Sequence, residues 1–330
     1  MKMSQMKEAI KSAILAGGFP VFVWGPPGAG KSEGIGQVVA ELQRVLNELR
    51  AALLDPVDLR GCPKAGDDNL TYWCPPAFLP QNGDPTVLFF DELPQAPTMV
   101  MNAISSLIIA PHTLGEYTLP DSTFVIAAGN RETDRAATNR MPTHIANRFI
   151  HITLDVDLDE WVAWALQNGV ATEVIAFLRF CPDLLHKFDP KSNDKAYPTP
   201  RSWTALSQVF QTRPSPEIEL ELYSGIVGEG AATQFLAFVR IFRSLPNVDD
   251  CITDPDNAPV PTELSAVCAI TTALAKKASE QNMDRLVRYF NRLPIEYGVK
   301  AMMDCKANCP EIVNTRAYIQ WMTDHQDIYV

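Results

Sequence analysis

The stretch Phe19-Pro-Val-Phe-Val-Trp24-Gly25-Pro-Pro-Gly28-Ala-Gly30-Lys31-Ser32 constrains this chain more than any other. An apolar run opens into Gly25-x-x-x-x-Gly30-Lys31-Ser32, and Ile35, Val38, Val39 and Leu42 then recur at helical spacing. A strand, a glycine-rich turn and a helix in that order form the context of a phosphate-binding loop. Glycines at 25, 28 and 30 let consecutive N–H groups face inward, while the helix directs its partly positive N-terminus at the same point. Gly25, Pro26, Pro27, Gly28, Ala29, Gly30, Lys31 and Ser32 are therefore the candidate nucleotide cradle. In it Lys31 supplies a cation for the β and γ phosphates, and the Ser32 hydroxyl is a ligand for Mg²⁺.

Sixty residues after Lys31, the run Thr86-Val-Leu-Phe-Phe ends in Asp91-Glu92. A buried parallel strand reads as a continuous apolar run, and its C-terminal end is where α/β proteins bind ligands. Asp91 is the candidate metal ligand, and Glu92 the candidate group that polarises water for in-line attack on a γ-phosphate. A second apolar run, Thr123-Phe-Val-Ile-Ala-Ala128, ends in Gly129-Asn130, whose carboxamide can contact the γ-phosphate or the attacking water without a competing charge. Arginines follow at 131, 135, 140 and 148, and Arg148 directly precedes a short apolar strand, Phe149–Thr153. A guanidinium there suits completion of a neighbour's site, because it spreads charge over phosphate oxygens and never deprotonates. Arg201, in Thr199-Pro-Arg-Ser202, falls in the first turn of a helix, where a cation opposes the macrodipole and an anion is the simplest partner.

Around these motifs the pattern alternates strand and helix as far as about Asp155, and is helical beyond it. Residues 3–16 read as a helix, and the helix after Ser32 is expected to run to about Arg50, with a strand at Ala51–Asp55. The proline-rich, aromatic stretch after Gly61, through Leu79, reads as an exposed loop with a small hairpin; 96–110 reads as a helix and 112–124 as a hairpin. Further helices are expected at 158–167, 172–180, 201–212 and 216–245. The expected organisation is an α/β domain over 1–155, a helical lid over 156–245, a linker over 246–262 and a helical extension over 263–330. Asp254-x-Asp256-Asn257 lacks the glycine and distal glutamate of a calcium loop.

Composition narrows the function classes. With 46% hydrophobic and 20% charged residues the chain is ordinary globular material, and no stretch approaches a membrane span or a secretory signal. It reads as soluble and cytoplasmic. The seven cysteines read as scattered reduced thiols, with only Cys305-x-x-x-Cys309 as a near pair. A net charge of −11 disfavours a nucleic-acid partner.

Taken in order, Gly25-Pro-Pro-Gly-Ala-Gly-Lys-Ser32, Leu88-Phe-Phe-Asp-Glu-Leu93, Ile126-Ala-Ala-Gly-Asn130, Ala146-Asn-Arg-Phe149 and Thr199-Pro-Arg-Ser202 resemble an AAA+ ATPase of the MoxR group over roughly residues 1–215. In that family these segments are Walker A, Walker B, sensor 1, the arginine finger and sensor 2. The resemblance implies a five-stranded parallel sheet ordered 5-1-4-3-2, a helical lid, and a ring usually of six subunits with ATP and Mg²⁺ at each interface. It also implies two insertions, at 58–79 and at 112–124, and catalytic roles for Glu92, Asn130, Arg148 and Arg201. Its implied activity is ATP hydrolysis that remodels a protein client, as relatives do with partners carrying a von Willebrand A domain. A nucleic-acid motor or loader is the alternative that the same core can drive. Two departures stand out: Asp91-Glu92-Leu93-Pro94 replaces the family's Asp-Glu-Ile-Asn, and Asn147-Arg148-Phe149 replaces its Asp-Arg-Phe.

Overall fold

The computed structural model describes residues 1–68, 70–109, 111–134, 141–192, 194–243, 245 and 247–325. Arg135 and Arg140, singled out above, lie outside the described residues. Two compact units are present, Met1–Val156 with Asp189–Ser192, and Asp157–Phe188 with Asn193–Val330.

In chain order the first unit contains α1 (Met3–Ala16), β1 (Val21–Trp24), α2 (Lys31–Glu41), β2 (Val45–Arg50), α3 (Pro56–Arg60), β3 (Cys62–Ala65), β4 (Thr71–Cys74), β5 (Thr86–Asp91), α4 (Thr98–Ile108), β6 (Thr113–Leu114), β7 (Tyr117–Thr118), β8 (Thr123–Gly129), α5 (Thr143–Ala146) and β9 (Ile150–Thr153). Five of these strands make one parallel sheet in the order β2-β5-β8-β1-β9. That numbering differs from the expected 5-1-4-3-2 because the ribbons β3–β4 and β6–β7 insert four strands along the chain. Counting the five parallel strands alone gives 2-3-4-1-5, the same neighbours read from the opposite edge.

Both sheet faces are covered, which is why its inner strands are apolar without alternation. On one face Val21, Val23, Phe89, Ile126 and Ala128 pack against Met6, Ile10 and Ile14 of α1 and Ile35, Val38 and Val39 of α2. On the other, Phe22, Leu88, Phe90, Val125 and Ala127 pack against Val100, Met101, Ile104 and Leu107 of α4. Each of the fully buried Val, Leu, Ile, Phe and Met side chains contributes about 2 kcal/mol of transfer free energy. The central strands β5, β8 and β1 are thus held in register, with their C-terminal ends adjacent.

Several sequence expectations change, among them the strand expected at Ala51–Asp55, where Ala51–Leu53 form a 3-10 turn. The helix after the phosphate loop ends at Glu41, not near Arg50, because Gln43 takes a left-handed φ of +53° and Val45–Arg50 becomes the edge strand β2. Its apolar residues fit a helical period as well as a strand, and pairing with β5 decides between them. The segment 216–245 is not one helix but α9 and α10, described below, parted at Gly228, whose φ is +84°. Cys62 and Cys74, read as isolated, are register partners across the ribbon β3–β4 and both are exposed.

The second unit is helical: α6 (Leu158–Gln167), α7 (Thr172–Phe180), α8 (Pro200–Gln211), α9 (Pro216–Val227), α10 (Glu229–Arg243), α11 (Val248–Thr253), α12 (Leu264–Lys276), α13 (Met283–Phe290), α14 (Ile295–Asn308) and α15 (Arg316–Asp324). The stretch expected as a linker carries α11, and the helices expected as lid and extension fall in this one unit. Among the described residues no helix is long and apolar enough to cross a membrane. A buried ion pair joins Arg179 of α7 to Asp304 of α14, and Arg179 Nε finds no acceptor among the described residues.

Burial pushes the Asp304 carboxyl up to about 6, although the Arg179 guanidinium opposes the shift. A raised folded-state value favours the protonated carboxyl in the fold, so this contribution is whole below the unfolded value near 3.8 and is lost as pH rises through about 6. At neutral pH the loss amounts to about 3 kcal/mol. Chemical denaturation between pH 4 and 7 is therefore expected to show stability shifting in favour of Asp304→Asn, relative to the unaltered chain, as pH rises. A difference independent of pH would contradict this assignment.

Candidate functional site

The C-terminal ends of β1, β8 and β5 carry, respectively, the glycine-rich loop Gly25–Gly30, Asn130 and the pair Asp91-Glu92. Gly28 and Gly30 adopt φ of +74° and +87°, a region that L side chains rarely enter, so these two positions require glycine for the loop to close onto α2. The loop is tied back to the sheet where the Gly25 N–H donates to the Gly129 carbonyl at 3.3 Å.

Lys31 opens α2 yet is only 8% exposed. Its ammonium donates to the carbonyls of Gly25 and Pro26 at 2.8 and 3.0 Å and to Asn130 Oδ1 at 2.9 Å. A buried ammonium needs such acceptors, and this set pins the cation at the mouth of the loop beside the β8 carboxamide. One residue on, the Ser32 hydroxyl donates to Asp91 Oδ2 at 2.6 Å. Two hard oxygen donors from motifs far apart in sequence thus meet, and a hydroxyl with one carboxylate is a donor set suited to Mg²⁺, which keeps several waters and phosphate oxygens as its other ligands.

Glu92 is half-buried and stands at φ +57°, a left-handed conformation that costs a non-glycine residue about 1–3 kcal/mol. Its N–H donates to Asp91 Oδ1 at 2.9 Å, and its carbonyl accepts from the Gln95 N–H at 2.9 Å. Leu93 and Pro94 behind it are buried. The sequence offered Pro94 only as the loss of a polar side chain. In the fold its ring fills the notch left by Gly129, where an added Cβ would lie 2.3 Å from Pro94 Cδ. The proline therefore braces the strained Glu92 turn against Gly129, the last residue of β8, which Asn130 follows.

The arginines differ. Arg131 is engaged with Asp134 and Asp155 at 3.5 and 3.6 Å. Arg148 is exposed in the turn between α5 and β9, and among the described residues no ion pair or hydrogen bond engages its guanidinium. Arg201 is exposed in the first turn of α8, in the second unit. That helix starts at a reciprocal cap, with Ser202 N–H donating to Thr199 Oγ1 at 3.0 Å and Thr199 N–H to Ser202 Oγ at 2.8 Å. Two side chains near the loop escaped the sequence reading altogether: Trp24, whose indole N–H donates to His151 Nδ1 at 2.8 Å, and His151 itself. A tryptophan in an apolar strand and a lone histidine two residues after Phe149 carry no motif that would have singled them out.

No protein-family model matches the chain, and no curated protein matches it. Among solved structures it is similar to NtrX from Brucella abortus in complex with ATP, at 12% identity and a TM-score of 0.43, over 99% of this chain and 67% of that one. It is also similar to the RuvB Holliday junction branch migration motor of Thermotoga maritima, at 16% identity and a TM-score of 0.41, over 82% of this chain and 80% of that one. Likenesses this distant leave the weight of any functional reading on the site residues.

The Gly129–Pro94 contact yields a test. Gly129→Ala is expected to cost about 1–3 kcal/mol of stability, as overpacking does. Combined with Pro94→Ala it is expected to cost less than the two single changes together, measured by denaturation of all four chains. Additive costs would mean that the two residues do not brace one another.

Proposed function

We propose that this chain is an AAA+ ATPase of the MoxR type, which hydrolyses ATP at the subunit interfaces of a ring to remodel or activate a protein partner. One observation carries the reading: Lys31 Nζ meets Asn130 Oδ1 at 2.9 Å while Ser32 Oγ meets Asp91 Oδ2 at 2.6 Å, so residues of three separate motifs converge on one loop. The ribbons β3–β4 and β6–β7, lying where that group carries its insertions, support the MoxR branch.

In this reading the loop N–H groups from Gly25 to Gly30 and the N-terminus of α2 bind the phosphates, and the Lys31 ammonium turns from its carbonyl partners to the β and γ oxygens. Ser32 and Asp91 would hold Mg²⁺, which when bound would neutralise charge developing on the phosphates. Glu92 orients the attacking water and takes up its proton, and its pinned backbone limits the freedom of that carboxylate. Asn130 fixes the γ-phosphate end without adding negative charge. Arg148, exposed in its turn, stabilises the transition-state charge in the next subunit's site, and Arg201 is the sensor arginine of the helical unit. The client is a protein, with a von Willebrand A domain as the partner class.

Lys31→Ala is expected to abolish ATP binding, and Glu92→Gln to retain binding while turnover stops; both are read by nucleotide-binding and phosphate-release assays in the presence of Mg²⁺. Undiminished turnover in Glu92→Gln would remove the mechanism. Arg148→Ala is expected to lower kcat by ~10³-fold, the scale of an arginine finger. Because the arginine acts on its neighbour, mixing Arg148→Ala subunits with Glu92→Gln subunits is expected to restore turnover in the former. Pull-down with the Glu92→Gln chain held in ATP tests the client: recovery of a von Willebrand A-domain protein is the expected result.

A further inference from the structure

The turn that carries Arg148 is tied to the phosphate loop of its own subunit through one side chain, His151. Residues Ala146 to Phe149 form a β-turn closed by the Phe149 N–H on the Ala146 carbonyl at 3.2 Å, and the Arg148 N–H donates to Ile145 at 3.0 Å. The same Ala146 carbonyl is met by His151 Nε2 at 2.8 Å. On the opposite side of the ring, His151 Nδ1 lies 2.8 Å from Trp24 Nε1. An indole nitrogen can only donate, so Nδ1 must be the bare acceptor and the ring proton must sit on Nε2, where it donates to Ala146. Both ends of the imidazole are thereby committed, and its tautomer is set by the two partners.

Trp24 is a firm anchor for this brace. Its ring stacks on Phe22 with centroids 4.1 Å apart and lies nearly parallel to the imidazole at 6.1 Å. Phe22 in turn packs edge-on against Phe149 at 5.4 Å, so the end of the turn is held by the same aromatic group. The residue after Trp24 is Gly25, whose carbonyl accepts from Lys31. A continuous series of contacts therefore runs from the Lys31 ammonium through Gly25, Trp24 and His151 to the carbonyl that closes the Arg148 turn.

We propose that His151 is a positioning residue for Arg148: it holds the arginine-bearing turn at a set place relative to its own subunit's phosphate loop, and so determines where Arg148 is presented. This rests on the catalytic role given to Arg148 in the preceding subsection. Nothing in the contacts above places His151 against nucleotide, so its removal acts on turnover and not on ATP affinity. A misplaced charged group costs rate because transition-state stabilisation depends on placement to within about an ångström.

The deciding experiment is a double-mutant cycle on the full chain, with kcat, KM and ATP affinity measured for each variant and thermal unfolding as a check on folding. His151→Ala is expected to lower kcat by ~10- to 100-fold, with ATP affinity changed less than about twofold. His151→Gln keeps an N–H donor for Ala146 and is expected to recover most of that loss. Placed on Arg148→Ala, His151→Ala is expected to cause no further loss; additive losses, or a fall in ATP affinity matching the fall in kcat, would overturn the positioning role. Mixing with Glu92→Gln subunits separates this from the shared-site reading. Recovery in both Arg148→Ala and His151→Ala mixtures supports both ideas, and recovery for Arg148→Ala alone overturns the role of His151. A non-additive cycle without recovery in either mixture keeps His151 as the brace of Arg148 and rejects the sharing of that arginine between subunits.

Discussion

A buried ammonium group organises the first unit of this protein. Lys31 sits at the start of α2 with almost no exposure, and desolvating a cation there is tolerable only because three oxygens accept from it. Two of them belong to the loop that the lysine closes, and the third belongs to Asn130, ninety-nine residues away. To satisfy one charge, the chain must bring the end of β8 beside the end of β1. The parallel sheet does this by placing β8 and β1 side by side in register.

Around that charge the neighbouring positions follow from packing. β5 lies next to β8, so Asp91 reaches the Ser32 hydroxyl, and Glu92 turns in a left-handed conformation immediately beyond it. The strain at Glu92 is contained by the Pro94 ring against Gly129 and by hydrogen bonds on both sides of the peptide. The Glu92 backbone is held on both its N–H and its carbonyl, so its side chain leaves the end of β5 from a fixed point. The aromatic group Phe22, Trp24, Phe149 and His151 performs the corresponding task at the other side of β1, setting the turn that bears Arg148.

Much of this was legible in the chain itself, and the failures have specific causes. The phosphate loop, the carboxylate pair after β5 and the asparagine after β8 were readable because each combines a continuous apolar run with a chemically distinctive end. The edge strand β2 was misread as helix, since its apolar spacing suits both periods and only pairing with β5 decides. The pairing of Cys62 with Cys74 was invisible because ribbon register is a property of two segments together, not of either one. Pro94 looked like a missing polar group because its partner, a glycine thirty-five residues on, cannot be inferred from local pattern.

The sequence by itself determined the kind of chemistry this protein can host: glycines where only glycine can turn, a lysine and serine at a helix start, and carboxylates and a carboxamide at strand ends. These are local demands of backbone geometry and charge. Only the tertiary structure decided which of those groups meet, that Lys31 is satisfied by Asn130, that Ser32 reaches Asp91, and that Trp24 and His151 brace the Arg148 turn. The contacts of Lys31, Ser32 and Trp24 join the ends of β1, β5, β8 and β9, which one sheet brings together although they are distant in the chain. Adjacency of that sort is set by burying both faces of the sheet at once, a global packing condition that no single segment encodes.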